Sequence, residues 1–178
     1  MSSPFFTIGH STRPIADFAE LLEGSQVELV VDVRTIPRSR ANPQFNQDAL
    51  PAALAPYGVG YEHVAELGGL RGRRRGAGES PNSFRDNQSF RNYADYTATE
   101  GFREGLRKLT DLGRARRCAI VCAEAVWWRC HRRIIADYLL VAGERVCHIL
   151  GETHVETAKL TPAAKPQPDG TLIYPRTA

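Results

Sequence analysis

The sequence predicts an α/β fold with a mostly parallel sheet of about five strands and helices on both faces. Short apolar runs alternate along the chain with segments whose apolar residues recur at helical spacing, the order that builds a parallel sheet. A length of 178 residues, with 24% charged and 8% aromatic residues, fits a single globular domain over residues 1–178. No apolar run approaches the roughly 20 residues that a membrane span requires, so we expect no membrane partner.

Five segments are predicted as strands because they are short, apolar and bounded by polar residues. In chain order they are residues 5–9, 27–33, 59–64, 117–123 and 145–150. The run from Val27 to Val33 is rich in β-branched residues, which is typical of a strand buried in a parallel sheet. We therefore expect the second strand to lie inside the sheet.

Helical periodicity predicts four helices between these strands, at about residues 14–23, 47–57, 90–112 and 128–142. Pro14 suits the first turn of the first helix, and the third helix is expected to break near Thr99. The last helix is the best defined, because Ile134 and Tyr138 fall on one face. Beyond the last strand, residues 155–178 hold four prolines and are predicted as an extended surface tail.

Polar and titratable residues follow the predicted strands at the points where the strands end. In an open parallel sheet the carboxyl ends of the strands lie on one edge, and ligands bind there, so we expect one site. The candidates for proton transfer or nucleophilic attack are His10, Asp32, Glu124, Cys130 and His131. The candidates for binding a substrate or anion are Ser11, Arg34, Arg38, Ser39, Gly68, Gly69 and Arg132.

The strongest candidate along this edge is the strand–helix junction from Cys122 to Arg132. Cys130 is predicted near the start of a helix, where free N–H groups and the helix dipole stabilise an anion. Such surroundings lower the pKa of a thiol and produce a nucleophile, and they equally suit a bound phosphate. Plainer interpretations stay open: Cys130 as a packed side chain, Glu124 as a helix cap, and Asp32 as part of an ion pair that only orders the edge.

The four cysteines, Cys118, Cys122, Cys130 and Cys147, lack the spacing of a disulfide framework and form no CxxC pair. The N-terminus has no signal-peptide pattern, so we expect reduced thiols in a cytoplasmic protein. Regular metal-ligand spacing is missing, so no residue is assigned to a metal. Cofactor use and oligomeric state stay open.

Short segments of distinctive sequence occur in order along nearly the whole chain. They are residues 7–11, 31–34, 43–46, 67–69, 93–96, 122–124 and 130–132. Together they resemble the DUF488 family, a bacterial and archaeal family described as a domain of unknown function. The resemblance implies the fold and the location of the site, and it implies no particular activity.

Three functions stay open at this point. The favoured one is an enzyme acting on a phosphate-bearing or nucleobase-like substrate, because several catalytic residue types converge on one edge. The second is a non-catalytic nucleotide or nucleic-acid binding module, with the arginines of residues 71–75 contacting phosphates and Trp127 and Trp128 stacking on bases. The third is a thiol-based redox or metal sensor that uses Cys122 and Cys130. A small anionic ligand or a nucleic acid is the expected partner.

Overall fold

The computed structural model describes residues 3–72, 80–84 and 87–176, and a six-stranded sheet forms its centre. Its strands are β1 (Phe5–Gly9), β2 (Leu29–Asp32), β3 (Gly60–His63), β4 (Cys118–Cys122), β5 (Val146–Gly151) and β6 (His154–Thr157). Their spatial order is β3-β2-β4-β1-β5-β6, and all neighbours are parallel except β5 and β6. The mostly parallel sheet predicted from the sequence is thus confirmed, and the antiparallel edge strand β6 was not predicted.

Five α-helices accompany the sheet in the part of the chain that the structure describes. They are α1 (Ile15–Gly24), α2 (Leu50–Leu54), α3 (Gln88–Tyr96), α4 (Glu100–Ala115) and α5 (Arg132–Val141). The break expected near Thr99 is present, and the Thr99 side chain accepts a hydrogen bond from the backbone N–H of Phe102 at the start of α4. None of these helices is long and apolar enough to cross a membrane.

The last helix begins later than predicted. Residues Trp127–Arg129 form one 3₁₀ turn, and Cys130 is extended with φ −121° and ψ 153°. The first residue of α5 is therefore Arg132 and not Trp128. The periodicity of apolar residues marks the buried face of α5 but carries no signal for this turn, which rests on local hydrogen bonds such as that from Cys130 N–H to the Trp127 carbonyl.

Side chains alternate along the strands between two cores, one on each face of the sheet. Val31 and Ile120 point into the core that is covered by α3, α4 and α5. Val30 and Val121 point into the other core, which is covered by α1 and α2. The expected helices on both faces are confirmed.

The segment 155–178 is not confined to the surface, contrary to the expectation from its prolines. It contains all of β6 except its first residue, and a hairpin of β7 (Lys165–Pro166) and β8 (Leu172–Ile173). Leu172 and Tyr174 are buried, and the Tyr174 hydroxyl donates a hydrogen bond to Asp137 on α5. The few apolar residues of this segment complete the core beside α5, which proline content alone cannot reveal.

Candidate functional site

A cavity of about 440 Å³, hereafter the rim cavity, lies over the carboxyl ends of β1, β2 and β4. Because β4 lies between β2 and β1, the residues that follow these three strands meet at one edge. Most of the predicted site residues line the rim cavity: His10, Arg34, Arg38, Ser39, Gly69, Glu124, Cys130 and His131. Ser11, Asp32, Gly68 and Arg132 do not line it.

An apolar and aromatic wall faces the polar edge, and of its residues only Trp128 was singled out from the sequence, for stacking on bases. Phe90 and Tyr93 from α3 contribute to it, together with Ile36, Leu70 and Trp128. The last three side chains are exposed large apolar groups around the mouth of the rim cavity. Helical spacing indicates that Phe90 and Tyr93 face inward, but only the packing of α3 on the sheet aims them at this cavity.

Arg132 lies behind the cavity wall and is fully buried, which corrects its predicted role as a residue that binds the substrate or an anion. Its Nε donates to Cys122 Sγ at 2.9 Å, its Nη1 to Thr7 Oγ1 at 3.0 Å and its Nη2 to the Glu124 carbonyl at 2.8 Å. No ion pair between described residues includes Arg132. A buried guanidinium normally has a negatively charged partner, and the groups that interact with Arg132 and can become negatively charged are the thiols of Cys122 and Cys130.

Cys122 and Cys130 bring their sulfurs to 2.6 Å from each other at the floor of the rim cavity. Burial raises the pKa of the Cys130 thiol, but the hydrogen bond with Cys122 and the charge of Arg132 outweigh it, and the pKa falls to about 7. Burial, with the hydrogen bond to Cys130, raises the pKa of Cys122 well above its ordinary value. When the pair loses a proton near neutral pH, the remaining proton is therefore held by Cys122 and the negative charge lies on Cys130.

His131 stands against Cys130 and is held in one orientation. Its Nε2 lies 2.8 Å from the Val33 carbonyl, so this nitrogen carries the proton and Nδ1, at 3.4 Å from Cys130 Sγ, accepts. Burial lowers the pKa of the imidazole, which keeps it neutral at pH 7. The ring packs edge-on against Tyr93 with centroids 4.9 Å apart. His131 is thus placed to accept a hydrogen bond from Cys130 while that thiol is protonated.

Two glycines leave room for this arrangement. A Cβ on Gly69 would lie 2.5 Å from His131 Nδ1, and a Cβ on Gly68 would overlap the Thr35 side chain. Gly69 therefore lines the rim cavity as the surface on which His131 rests. Gly68 is a packing position, and its predicted role in binding an anion has no contact to support it.

Asp32 and Arg34 form a buried ion pair beneath the cavity. The Asp32 carboxylate accepts from Arg34 Nε at 2.9 Å, from Arg34 Nη2 at 2.6 Å and from the Tyr61 hydroxyl at 2.6 Å. Asp32 has no exposed surface, so the structure contradicts its predicted part in proton transfer. Arg34 also donates to the Phe45 carbonyl at 2.6 Å, and the pair orders the loop after β2.

His10 lines the rim cavity but uses both ring nitrogens internally. Its Nδ1 lies 2.8 Å from the Ser11 carbonyl and donates to it, whereas its Nε2 lies 3.3 Å from Arg34 Nη1 and accepts. Burial lowers the pKa of His10, and the ring stacks on Phe45 with centroids 4.3 Å apart. Ser11 supports this turn through its carbonyl at a positive φ of 50°. We interpret His10 and Ser11 as residues that shape the wall of the rim cavity.

The remaining polar lining residues are more accessible. Arg38, Glu124 and Arg129 are exposed at the rim cavity, and their charged groups make no hydrogen bond or ion pair with the described part of the chain. Ser39 Oγ accepts from the backbone N–H of Asn42 at 3.0 Å. Arg129 was not assigned from the sequence, although its place beside Cys130 could have indicated it. Among the described residues no group of three or more His, Cys, Asp or Glu side chains is arranged to hold a metal ion.

A second buried network contacts Arg132 through Thr7 on β1. Thr7 Oγ1 lies 2.6 Å from His148 Nδ1, and burial together with the charge of Arg132 lowers the pKa of His148 to about 3. The neutral His148 ring stacks on Trp127, with centroids 4.4 Å apart and planes 7° apart. One face of Trp127 is therefore covered, which disfavours its predicted use for stacking on bases.

The basic loop predicted to contact nucleic acid is described only in part. Arg71 packs its guanidinium 3.8 Å from the centre of the Tyr96 ring and donates to the Gly68 and Ala65 carbonyls at 3.0 and 2.9 Å. Residues 73–75 lie outside the described residues. Within the described part, Arg71 fixes the turn after β3, so its contacts give no support to a phosphate-binding role.

Comparisons with known proteins agree with the resemblance seen in the sequence. The family model described as "Domain of unknown function DUF488" matches residues 14–139, which is more than half of the chain. The match includes both cysteines of the pair and Arg132. No curated protein and no solved structure matches the chain. The sequence, the fold and this match together show that the chain belongs to the DUF488 family.

Proposed function

We propose that this protein is an enzyme in which the Cys130 thiolate is the nucleophile. The observation that carries the proposal is Arg132, a fully buried guanidinium whose ionisable contacts are the sulfurs of Cys122 and Cys130. Leaving such a charge without a partner costs several kcal/mol. The thiol pair is the group in contact with Arg132 that can supply the counter-charge, and this favours a thiolate in the folded protein.

The position of the thiolate supports a catalytic role over a packing role. Cys130 lines the rim cavity, whereas Cys118 is fully buried in the sheet, where burial raises the pKa of its thiol to about 12. A low thiol pKa combined with access to a cavity is the property shared by nucleophilic cysteines. Cys130 therefore differs from a structural cysteine in both respects.

The walls of the rim cavity indicate the class of substrate. Arg38 and Arg129 bring two guanidinium groups that suit a phosphate or carboxylate. Phe90, Tyr93 and Trp128 offer aromatic surface for a planar ring. We propose a small phosphate-bearing substrate with a nucleobase-like or other planar apolar group.

Glu124 is the candidate for proton transfer during the reaction of such a substrate. Its side chain is exposed in the rim cavity, while its own carbonyl is fixed by Arg132. In the proposed step Cys130 Sγ forms a bond to an electrophilic carbon, and the leaving group departs with the electron pair of the broken bond. The leaving group takes a proton from solvent. The Glu124 carboxylate then accepts a proton from a water molecule as that water attacks the same carbon, the bond to Cys130 Sγ breaks and the thiolate is restored.

The test measures iodoacetamide labelling of the intact protein at a series of pH values, with each cysteine resolved by peptide mass spectrometry. We expect Cys130 to label fastest at neutral pH, with a midpoint near pH 7. Cys147, which is half-buried in the same chain, is the internal reference. Slower labelling of Cys130 than of Cys147 across the whole range refutes the proposal.

A second arm tests the substrate class. Occupants of the rim cavity shield Cys130, so nucleoside monophosphates should slow its labelling, and inorganic phosphate should do so at higher concentration. The double variant Arg38→Ala and Arg129→Ala should lose this protection while keeping the labelling midpoint. Equal protection by nucleosides that carry no phosphate would exclude the proposed anion-binding role of the two arginines.

A further inference from the structure

We infer that Cys122 and Cys130 form a reversible dithiol–disulfide pair that exchanges with low-molecular-weight disulfides. Cys130 is the attacking sulfur and Cys122 the resolving sulfur. The inference rests on the proposed function in one respect, because the same Cys130 thiolate begins both reactions. It adds a two-electron redox activity to the site and gives Cys122 a role of its own.

The arrangement of the two sulfurs supports these separate roles. Cys122 ends β4, and Cys130 lies eight residues later, in the extended stretch before α5. Their sulfurs are already in contact, so bond formation requires only a small movement of the turn between them. Cys130 is the more accessible of the two, while Cys122 is 3% exposed and approaches Cys130 from the floor of the cavity.

The first step consumes the Cys130 thiolate. Cys130 Sγ attacks one sulfur of a small disulfide RSSR, a protein–S–SR bond forms, and the RSSR bond breaks. The released RS⁻ takes a proton from solvent. The protein is left as a mixed disulfide at Cys130, and the thiol of Cys122 remains directly behind the bond that must next be broken.

The second step uses Cys122. Its proton leaves through the cavity, and the new thiolate attacks Cys130 Sγ, forming the Cys122–Cys130 bond and expelling the second RS⁻, which is protonated. Two protein thiols are oxidised and one RSSR is reduced to two RSH. Arg132 Nε, 2.9 Å from Cys122 Sγ, stabilises the thiolate that must form in this step. This explains why the guanidinium contacts the more buried sulfur.

Arg132 also affects how readily the Cys122–Cys130 disulfide is reduced. The reduced pair carries a thiolate beside the buried guanidinium, and the disulfide carries no charge to replace it. Stabilising the reduced form makes a disulfide more oxidising. We therefore expect the Cys122–Cys130 disulfide to be reduced readily by glutathione, as a catalytic disulfide is and a structural one is not.

The experiment mixes the fully reduced intact protein with oxidised glutathione, quenches with acid and measures mass and disulfide-linked peptides. We expect the wild-type protein to lose two hydrogen atoms and to yield one peptide pair that joins Cys122 to Cys130. The variant Cys122→Ser should stop at a stable mixed disulfide on Cys130. Cys147→Ser serves as the matched control and should behave as the wild type does.

Three other results overturn the inference. They are a persistent glutathione adduct on the wild-type protein, a disulfide between two protein chains, and the absence of any reaction. The first two leave the proposed function standing, because Cys130 has still acted as a nucleophile. The absence of any reaction, combined with slow alkylation of Cys130, refutes both the dithiol–disulfide inference and the proposed function. The wild-type measurement needs no substitution, so misfolding of a variant cannot obscure the outcome.

Discussion

Replacement of Arg132 by methionine is the sharpest test of a thiolate maintained by a buried guanidinium. The substitution removes the charge and retains a long apolar side chain, so the volume behind the cavity wall stays largely filled. Arg132→Lys is the matched variant, because it keeps the charge and loses the planar fork that reaches Thr7, Cys122 and Glu124 together.

The expected magnitude follows from the pKa of the Cys130 thiol, which is about 7 in place of its ordinary 9.0. A difference of about 2 pH units corresponds to about 2.7 kcal/mol. Without Arg132, the hydrogen bond from Cys122 is the main interaction that opposes the effect of burial on Cys130. The pKa of the Cys130 thiol should therefore rise by about 1 to 2 units. The thiolate fraction at pH 7 then falls from about one half to as little as about one hundredth.

The labelling rate falls less than the thiolate fraction does. A thiolate of higher pKa is intrinsically more nucleophilic, by about 3-fold over 1 unit and about 8-fold over 2 units, so labelling at pH 7 should slow by about 2- to 8-fold. The midpoint of the pH profile is therefore the better readout. It should lie at about pH 8 to 9 for Arg132→Met and between this and the wild-type value for Arg132→Lys.

Folding of each variant is checked by thermal unfolding, because Thr7 and the Glu124 carbonyl lose a hydrogen-bond donor in Arg132→Met. A folded Arg132→Met protein whose Cys130 midpoint stays near pH 7 refutes the reasoning. In that case the low pKa of Cys130 has a source other than the buried guanidinium.

Three further predictions concern the support of the site. Gly69→Ala should destabilise the protein by about 1–3 kcal/mol in urea unfolding, because the new Cβ would clash with His131. Gly72→Ala is the control and should change stability by less than about 0.5 kcal/mol, because its Cβ meets nothing within 4 Å. Burial lowers the pKa of His148 to about 3 in the folded protein. As the pH falls, the His148 imidazole is therefore protonated in the unfolded chain before it is protonated in the folded protein. The free energy of unfolding should fall by about 2 kcal/mol as the pH drops from 7.5 to 5, and His148→Asn should flatten this dependence. Asp32→Asn breaks a fully buried ion pair and should cost about 3–5 kcal/mol in chemical denaturation; a cost below about 1 kcal/mol contradicts the structural role.

Much of the fold could be predicted because local sequence patterns encode it. The run from Val27 to Val33 identifies a buried parallel strand, and the structure forms β2 within it. The predicted break is present between α3, which ends at Tyr96, and α4, whose first turn is capped by the Thr99 side chain. The start of α5 was not predicted, because the periodicity of apolar residues carries no signal for the local turn before it. The burial of Tyr174 was not predicted, because it depends on contacts with distant segments.

The location of the site also followed from the sequence. Polar residues after β1, β2 and β4 had to meet once the strands were parallel, and His10, Arg34 and Glu124 line the same cavity. The chemical role of each residue did not follow. Asp32 and Arg34 satisfy each other, and only the distance between their side chains reveals this.

The sequence by itself determined the α/β fold, predicted the edge of the sheet at which the rim cavity lies and singled out the segment from Cys122 to Arg132. The tertiary structure decided which of these residues reach the cavity and which support it. Arg132 turns inward to the sulfurs instead of outward to a ligand, and Cys122 and Cys130 come into contact. The physical reason is that pKa and reactivity depend on burial and on charges a few ångströms away, and distances between side chains are fixed only when the chain has packed.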